Sequence, residues 1–410
     1  MRRRLPPPMP KILCISPYVP HPVTHGGSIR TRLLLDALRG LGELHLAAPV
    51  LREQDRADAQ YLALTLDLTA HELEGRADGS AGKLGKLSRW FRGESEMLAR
   101  RWTPAAVAKV SSLLATYRFD LVVADGAHAL PLVPLRTRPL LFHMHNVESA
   151  ILARPPAQPQ SLQAEWTRRI EARQTARVEA RYLKAAAINV AVSDSDRALA
   201  LSICNDANIV TVPNAVEIHA QPIAARPAEG PLQLLFVGRL DYPPNLEAVT
   251  ELVERHLPAL RAAFPGVRVR VVGEDSKGKT QRLQRDGVEF LGRVSDLEPH
   301  YATSHAAYIP LRSGGGTRLK ILEAFSLGLP VASTSIGAEG LAAKDRVHFR
   351  QFDTPEQGVA ALRDLLGEQR RSYVERARAL VQAHYSRDAA VSALRKACEF
   401  ALNSARSAAQ

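Results

Sequence analysis

The sequence predicts an α/β protein of two domains in series, each a doubly wound parallel sheet. Three observations carry that expectation. The chain has 410 residues, too long for one compact core and suited to two domains of ordinary size. Short apolar runs alternate with stretches of helical period, the pattern that βαβ units need. The alternation lapses over residues 217–231, "EIHAQPIAARPAEGP", and then restarts, as it would across a linker.

The first half opens with "KILCISPYVP" (Lys11–Pro20), an apolar strand running into a Pro-rich loop. Gly26-Gly27 belong to that loop. A helix follows with Leu33, Leu34, Leu38 and Leu41 on one face and Gly42 as its stop. "LHLAAPV" is the next strand, completing strand, glycine loop, helix, strand. "FDLVVAD" (119–125), "PLLFHMHN" (139–146), "AAAINVAVS" (185–193) and "NIVTVPNAV" (208–216) read as further strands, with a long charged helix over 161–184. In the second half "LQLLFVGRL" is a strand and loop. "NLEAVTELVERHLPAL" is a helix with apolar residues at 246, 249, 253, 257 and 260. "VRVRVVG", "VEFLG", "HAAYIP", "LPVAST" and "VHFRQF" are strands, and a final amphipathic helix runs over 388–403. The expected domains are 10–218 and 230–386, with the last helix, 387–404, packing back on the first.

Composition narrows the function. Apolar residues make up 46% and charged residues 23%, the balance of a globular protein with little disorder. The net charge of +12 favours anionic partners such as nucleic acid, acidic membrane or phosphorylated substrates. The arginines are scattered and not packed in one run, and no nucleic-acid-binding motif accompanies them. Nucleic acid is therefore not expected as a partner. Cys14, Cys204 and Cys398 are far apart with no CxxC pair, which argues against structural zinc and disulfides and favours a reducing cytoplasm. No window approaches 18 continuous apolar residues, so no segment is expected to span a membrane. The opening "MRRRLPPP" lacks the apolar stretch of an export signal.

Two glycine loops are placed to bind phosphate. Ligands of open parallel sheets sit beyond the carboxyl ends of the strands, at helix N-termini, where bare backbone N–H groups and the helix dipole favour an anion. Gly26-Gly27 is one such loop and Gly314-Gly315-Gly316 the other. After the second, Thr317 offers a hydroxyl, and Arg318 and Lys320 fall in the first helical turn. Glu323, three residues past Lys320, shares its face. A glycine cradle with a lysine suits a diphosphate, and a carboxylate on the same helix suits the vicinal hydroxyls of a ribose. Together they point to a nucleoside diphosphate. A second stretch, "KLGKLSRWFRGESEMLARRW" (Lys83–Trp102), mixes cations with Trp90, Phe91 and Trp102. It suggests an amphipathic contact with an anionic membrane; the alternative is a helix with its aromatics in the core.

These motifs, in order, resemble the family-4 glycosyltransferases. "GRLDYPPN", "VRVVGE", "VEFLGRVSDLEPHYATSHAAYIPLRSGGGTRLKILEAFSLGLPVAST" and "GAEGL" resemble the family's C-terminal domain. "ISPYVPHPVTHGGSIRTRLLLDALRGLG", "FDLVVAD", "HMHNVE", "NVAVSDSD" and "VPNAVE" resemble its acceptor-side domain. The likeness runs from about Lys11 to Leu402. It implies the GT-B fold, two Rossmann-like domains facing across a cleft. It also implies a retaining transfer of sugar from a nucleotide-diphosphate donor (uridine, guanosine or adenosine) to a hydroxyl acceptor, lipid-linked or polysaccharide.

By resemblance, His145 faces the transferred sugar, Arg239 and Lys320 hold the leaving diphosphate, Gly26 and Gly27 meet the donor, and Thr317, Arg318 and the second glycine loop lie under its phosphates. Glu323 is the last carboxylate of an E-x7-E motif that binds ribose. His143 is a core neighbour, His25 and His128 are weaker candidates, and Asn214 is a hinge. Two positions depart from the pattern. Gly315 stands where the first glutamate would, and Asn245 stands where a lysine follows the arginine by six residues. Backbone amides, Lys320 or Arg318 are expected to compensate. No DxD-like metal motif lies in a suitable loop, "DSD" (194–196) reads as a helix start, and neither metal nor cofactor is expected. A cytoplasmic protein, peripheral on the inner membrane face, is the expected setting. A nucleotide-sugar epimerase of the same architecture is the rival reading, and a basic nucleic-acid-binding protein the remote one.

Overall fold

A computed structural model describes residues 9–23, 26–76, 89, 93–137, 139–154, 161–222, 230–314 and 318–408. The chain divides into two compact units, residues 1–213 with 390–410, and residues 214–389.

The first unit is built on a seven-stranded parallel sheet. Its strands are β1 (Lys11–Ile15), β2 (Glu43–Pro49), β3 (Leu68–Leu73), β4 (Leu121–Asp125), β5 (Leu140–His143), β6 (Ile188–Ala191) and β7 (Ile209–Thr211), in the order β3-β2-β1-β4-β5-β6-β7. The helices are α1 (Gly26–Leu38), α2 (Glu53–Leu66), α3 (Glu96–Ala99), α4 (Pro104–Tyr117), α5 (Glu148–Ala153), α6 (Leu162–Ala185) and α7 (Asp194–Ile203). β1, β4 and β5 are Val-, Ile- and Leu-rich and buried almost end to end, as central strands covered on both faces must be. β4 ends in Asp125, a charged residue with no exposed surface, so the sheet terminates in a carboxylate that must find partners inside.

The second unit has six parallel strands. They are β8 (Gln233–Val237), β9 (Arg268–Val272), β10 (Val288–Phe290), β11 (Ala306–Ile309), β12 (Val331–Ser333) and β13 (Arg350–Gln351), in the order β10-β9-β8-β11-β12-β13. Between β8 and β9 one continuous rod comprises α8 (Pro243–Glu251), a π turn (Leu252–His256) and α9 (Leu257–Ala263). α10 (Glu298–Ala302), α11 (Leu319–Leu327), α12 (Pro355–Leu366) and α13 (Arg370–His384) complete the layers. The π turn gives His256 a fully buried position, where its Nδ1 meets the Tyr308 hydroxyl at 2.7 Å.

The helix α14 (Arg387–Ala408) starts in the second unit and runs into the first, burying Leu394, Ala397, Cys398 and Ala401 there. Arg395 donates to the carbonyl of Arg39 at 2.7 Å.

Several expectations change. Gly26 and Gly27 are the first residues of α1 and not part of the preceding loop, and Leu41 lies beyond the helix, which ends at Leu38. The segment after Val216 is not a free linker at its start. Val216 is buried in the second unit's core and bridges to Ser386. Ser326 donates to the Glu217 carbonyl at 2.6 Å and Arg378 to that of His219 at 2.8 Å. Of the strand expected around "VHFRQF", two residues form β13. Residues 83–88 and 90–92 of the basic aromatic stretch, Trp90 and Phe91 included, lie outside the described residues. Trp102 is 3% exposed and its indole N–H donates to the His128 carbonyl at 2.6 Å. It belongs to the core and offers nothing to a membrane.

Candidate active site

Open sheets place ligands where strand order reverses. In the first unit that point lies between β1 and β4, in the second between β8 and β11. Each carries a polar cluster at its carboxyl edge.

In the first unit the cluster centres on Asp125. Parallel register sets Asp125 beside His143, and His143 Nδ1 lies 2.8 Å from Asp125 Oδ1. His145 Nε2 reaches the same oxygen at 2.7 Å. The other oxygen accepts from Thr31 of α1 at 2.6 Å and from Ser16, just past β1, at 3.0 Å. The Tyr18 hydroxyl lies 3.3 Å from both His145 Nδ1 and the Thr31 hydroxyl. Burial alone would raise the Asp125 carboxyl, but His145 and the hydrogen bonds from both histidines outweigh it and hold it well below the usual range. Burial, with Arg30 nearby, pushes His143 down to about 3. His143 is therefore neutral, its Nδ1–H donated to Asp125.

The segment carrying His145 is pinned from below. Arg30, 1% exposed, donates to the carbonyls of Met144 at 2.8 Å and Val212 at 2.9 Å. Adjacent residues of α1, Arg30 and Thr31, thus hold the His143–His145 strand end and its carboxylate. Burial also raises Glu148, which accepts from Asn146 at 3.2 Å. Asp125, His143 and His145 offer three donor atoms within 4.8 Å of one another, but the two ring nitrogens nearest Asp125 are spent on hydrogen bonds to it.

In the second unit the cluster lies at the ends of β8 and β11 and the start of α11. Lys320 Nζ donates to Asn245 Oδ1 at 2.7 Å, and Asn245 Nδ2 donates to the Arg239 carbonyl at 2.8 Å. The ammonium rests 4.2 Å from the centre of the Phe236 ring. Gly238 is needed for this approach, since a Cβ there would stand 2.8 Å from Asn245 Nδ2 and 2.9 Å from Lys320 Nζ. Burial, with Arg318 alongside, pushes Lys320 down to about 7 against the pull of Glu323. Burial pushes Glu323 up to about 7, against a 3.4 Å hydrogen bond from Tyr301 and the charge of Lys320. Burial thus brings two groups one turn apart, an acid and a base, to about the same value near 7.

Gly314 has φ of +111°, which a side chain would strain. Its carbonyl accepts from Arg318 Nη2 at 3.1 Å, and Arg318 also pairs with Glu339 at 3.5 Å. Arg318 is the residue before α11 and is 6% exposed, so it holds the Gly314 carbonyl from the buried side. The Arg239 side chain is exposed. Gly315, Gly316, Thr317 and His25 lie outside the described residues. Asn214 is buried, and "DSD" does begin a helix, α7, capped by Ser193, which accepts from the Asp196 N–H at 3.1 Å.

Asp125, Thr31 and Tyr18 escaped the sequence reading, as did the bridging role of Asn245. The signal for Asp125 was present: an acid ending a wholly apolar strand.

Comparisons with known proteins follow the same division. A family model described as glycosyltransferase family 4 matches residues 68–220, and one described as glycosyl transferases group 1 matches residues 231–368. Glycogen synthase of Mycobacterium tuberculosis is 30% identical over 147 residues, covering 33% of this chain and 34% of the relative. An uncharacterized 44.6 kDa protein in the cps region of Klebsiella pneumoniae is 29% identical over 116 residues, covering 26% and 30%. The chain thus spans about a third of the length of the curated relatives it matches. Among solved structures, sucrose-phosphate synthase from Thermosynechococcus elongatus aligns with a TM-score of 0.68 at 17% identity over 95% of this chain and 98% of that one. Anabaena HepE in complex with UDP and glucose aligns with a TM-score of 0.64 at 16% identity over 96% and 100%. These likenesses establish a shared fold.

Proposed function

This chain belongs to the family-4 glycosyltransferases of GT-B fold, and we propose that it moves a sugar from a nucleotide-diphosphate donor to an acceptor hydroxyl with retention at the anomeric carbon. The observation that carries the reading is the Asn245–Lys320–Glu323 constellation at the switch point of the second sheet. An ammonium and a carboxylate one turn apart match a diphosphate and a ribose. HepE, solved with UDP and glucose, and the relative from a cps region favour a nucleotide-sugar donor and a cell-surface polysaccharide or glycolipid acceptor.

The chemistry asked of the protein is electrostatic. The bond from the anomeric carbon to the phosphate oxygen breaks, and charge grows on the diphosphate. Lys320, Arg239 and the N–H groups of the Gly314–Gly316 loop stabilise that charge. The acceptor hydroxyl attacks from the same face and its proton passes to the departing phosphate oxygen. Thr317 and Arg318 support the loop, and Glu323 holds the ribose. In the first unit His145 serves the transferred sugar, with Asp125 fixing its ring, and Gly26 and Gly27 present the start of α1 to the donor. With protein cations in these roles the transfer proceeds without a metal, on or near an anionic membrane surface.

The test is a donor screen with UDP-, GDP- and ADP-sugars, with and without membrane extract and EDTA. One nucleotide should support labelled product, EDTA should leave the rate unchanged, and Glu323→Ala should raise the donor KM about tenfold or more. Unchanged donor affinity in Glu323→Ala would remove the ribose assignment.

A further inference from the structure

Helix α6 interleaves its charges in sequence and sorts them in the fold. It carries five arginines, one lysine and three glutamates. Glu171 turns inward, accepting from the Ser95 hydroxyl at 2.7 Å and the Met97 N–H at 2.8 Å at the start of α3. Glu179 turns inward too, accepting from the Glu148 N–H at 2.7 Å and from Ser149 at the start of α5. Glu165 is consumed by Arg168 and Arg169, at 2.7 and 2.8 Å. The acids of this helix thus serve as caps and local partners.

Apart from Arg168, the cations are left outside. Arg169, Arg173, Arg177 and Arg181 are all exposed. Among the described residues, Arg173, Arg177 and Arg181 form no ion pair with a carboxylate. The same face begins with two exposed apolar side chains, Leu162 at 90% and Trp166 at 68%. At 3.6 residues per turn these six positions fall within a sector of about 120°. Leu162 and Trp166 gain nothing from water, and the arginines repel one another there.

We propose that this face of α6 docks on an anionic lipid surface, the arginines against headgroup charge and Trp166 with Leu162 at the headgroup–acyl boundary. An exposed indole beside guanidinium groups fits that boundary, where one end of the ring is apolar and the other wet. Each basic residue near an anionic leaflet is worth about fivefold in partitioning, so the three arginines without a carboxylate partner give on the order of a hundredfold. The proposal names the surface for the membrane contact put forward above and rests on that reading, independently of the donor and of the chemistry.

The test uses full-length protein and sedimentable vesicles of phosphatidylcholine, alone or with phosphatidylglycerol. Binding is expected only to the anionic vesicles, falling at high salt. Arg173→Glu with Arg177→Glu should cut the partition coefficient at least about a hundredfold. Arg173→Lys with Arg177→Lys should retain it, which shows that the charge and not the fold is at issue. Trp166→Ser should weaken binding, and vesicles should shift wild-type tryptophan emission to the blue but not that of Trp166→Phe. Equal binding to neutral vesicles, or full binding by the double glutamate variant, overturns the proposal. So does duplex DNA that binds more tightly than the vesicles and is indifferent to Trp166→Ser. Donor hydrolysis should be unchanged in all these variants, so loss of lipid binding with hydrolysis intact separates the two readings.

Discussion

Asn245 shows what spacing in a sequence conveys and what it hides. By resemblance it marks a missing cation. In the fold its amide joins the Arg239 carbonyl to the Lys320 ammonium, so the cation is present but arrives from α11. Lys320 and Glu323 were legible because three residues of helix bring them together. The contact between Asn245 and Lys320 bridges 75 positions, and Asp125 collects bonds from Ser16, just past β1, and from Thr31 of α1 across 109 and 94 positions. Such pairs follow from strand order, which one sequence does not print. Because Asn245 and Lys320 are two ends of one hydrogen bond, the charge can be supplied from either end. Lys320→Asn alone should weaken nucleotide binding by about tenfold or more, as expected for a charge-assisted contact. Adding Asn245→Lys should recover most of the loss. Titration of the single and double variants with a nucleoside diphosphate checks this, and a double variant no better than the single would show that the ammonium's place is immaterial.

The strands and helices were largely legible from period and composition. The exceptions have physical causes. α1 begins at Gly26 because helix N-terminal positions tolerate glycine where helix interiors do not. The α8–π–α9 rod keeps its apolar positions on one face although the π turn changes the local period. α3 and α5 are too short, at four and six residues, to announce themselves by period. They persist because carboxylates of α6 receive their free N–H groups. For α5 this has a consequence in pH. Burial raises Glu179 to about 7, above its value of about 4.3 in an unfolded chain. A raised acid binds its proton more tightly when folded. Its contribution is present below the unfolded value and is lost as pH rises through 7. Wild-type stability should therefore fall on the order of 3 kcal/mol from pH 4.5 to pH 7 relative to Glu179→Gln. Urea midpoints of the two proteins, measured across that window, give the difference. Parallel curves would place Glu179 in an ordinary solvated environment.

Two units of the same doubly wound plan, each with a polar cluster at its own switch point, make up the protein. The division was visible in the restart of alternation after residue 231, although the second unit takes up the chain earlier, from Asn214. The clusters are complementary in chemistry. One is a carboxylate–histidine set shielded by hydroxyls; the other is an ammonium and a carboxylate poised near neutrality. The second is the proposed nucleoside diphosphate site, and calorimetry of UDP, GDP and ADP binding at pH 8 and pH 6, each in two buffers of different ionisation enthalpy, tests that proposal most directly. At pH 8 free Lys320 is mostly neutral, so one of these nucleotides should bind with proton uptake, and Lys320→Met should abolish the uptake. At pH 6 free Glu323 is mostly protonated, so ribose binding should release a proton. Binding of none of the three, or binding with no proton exchange at either pH, would contradict the account.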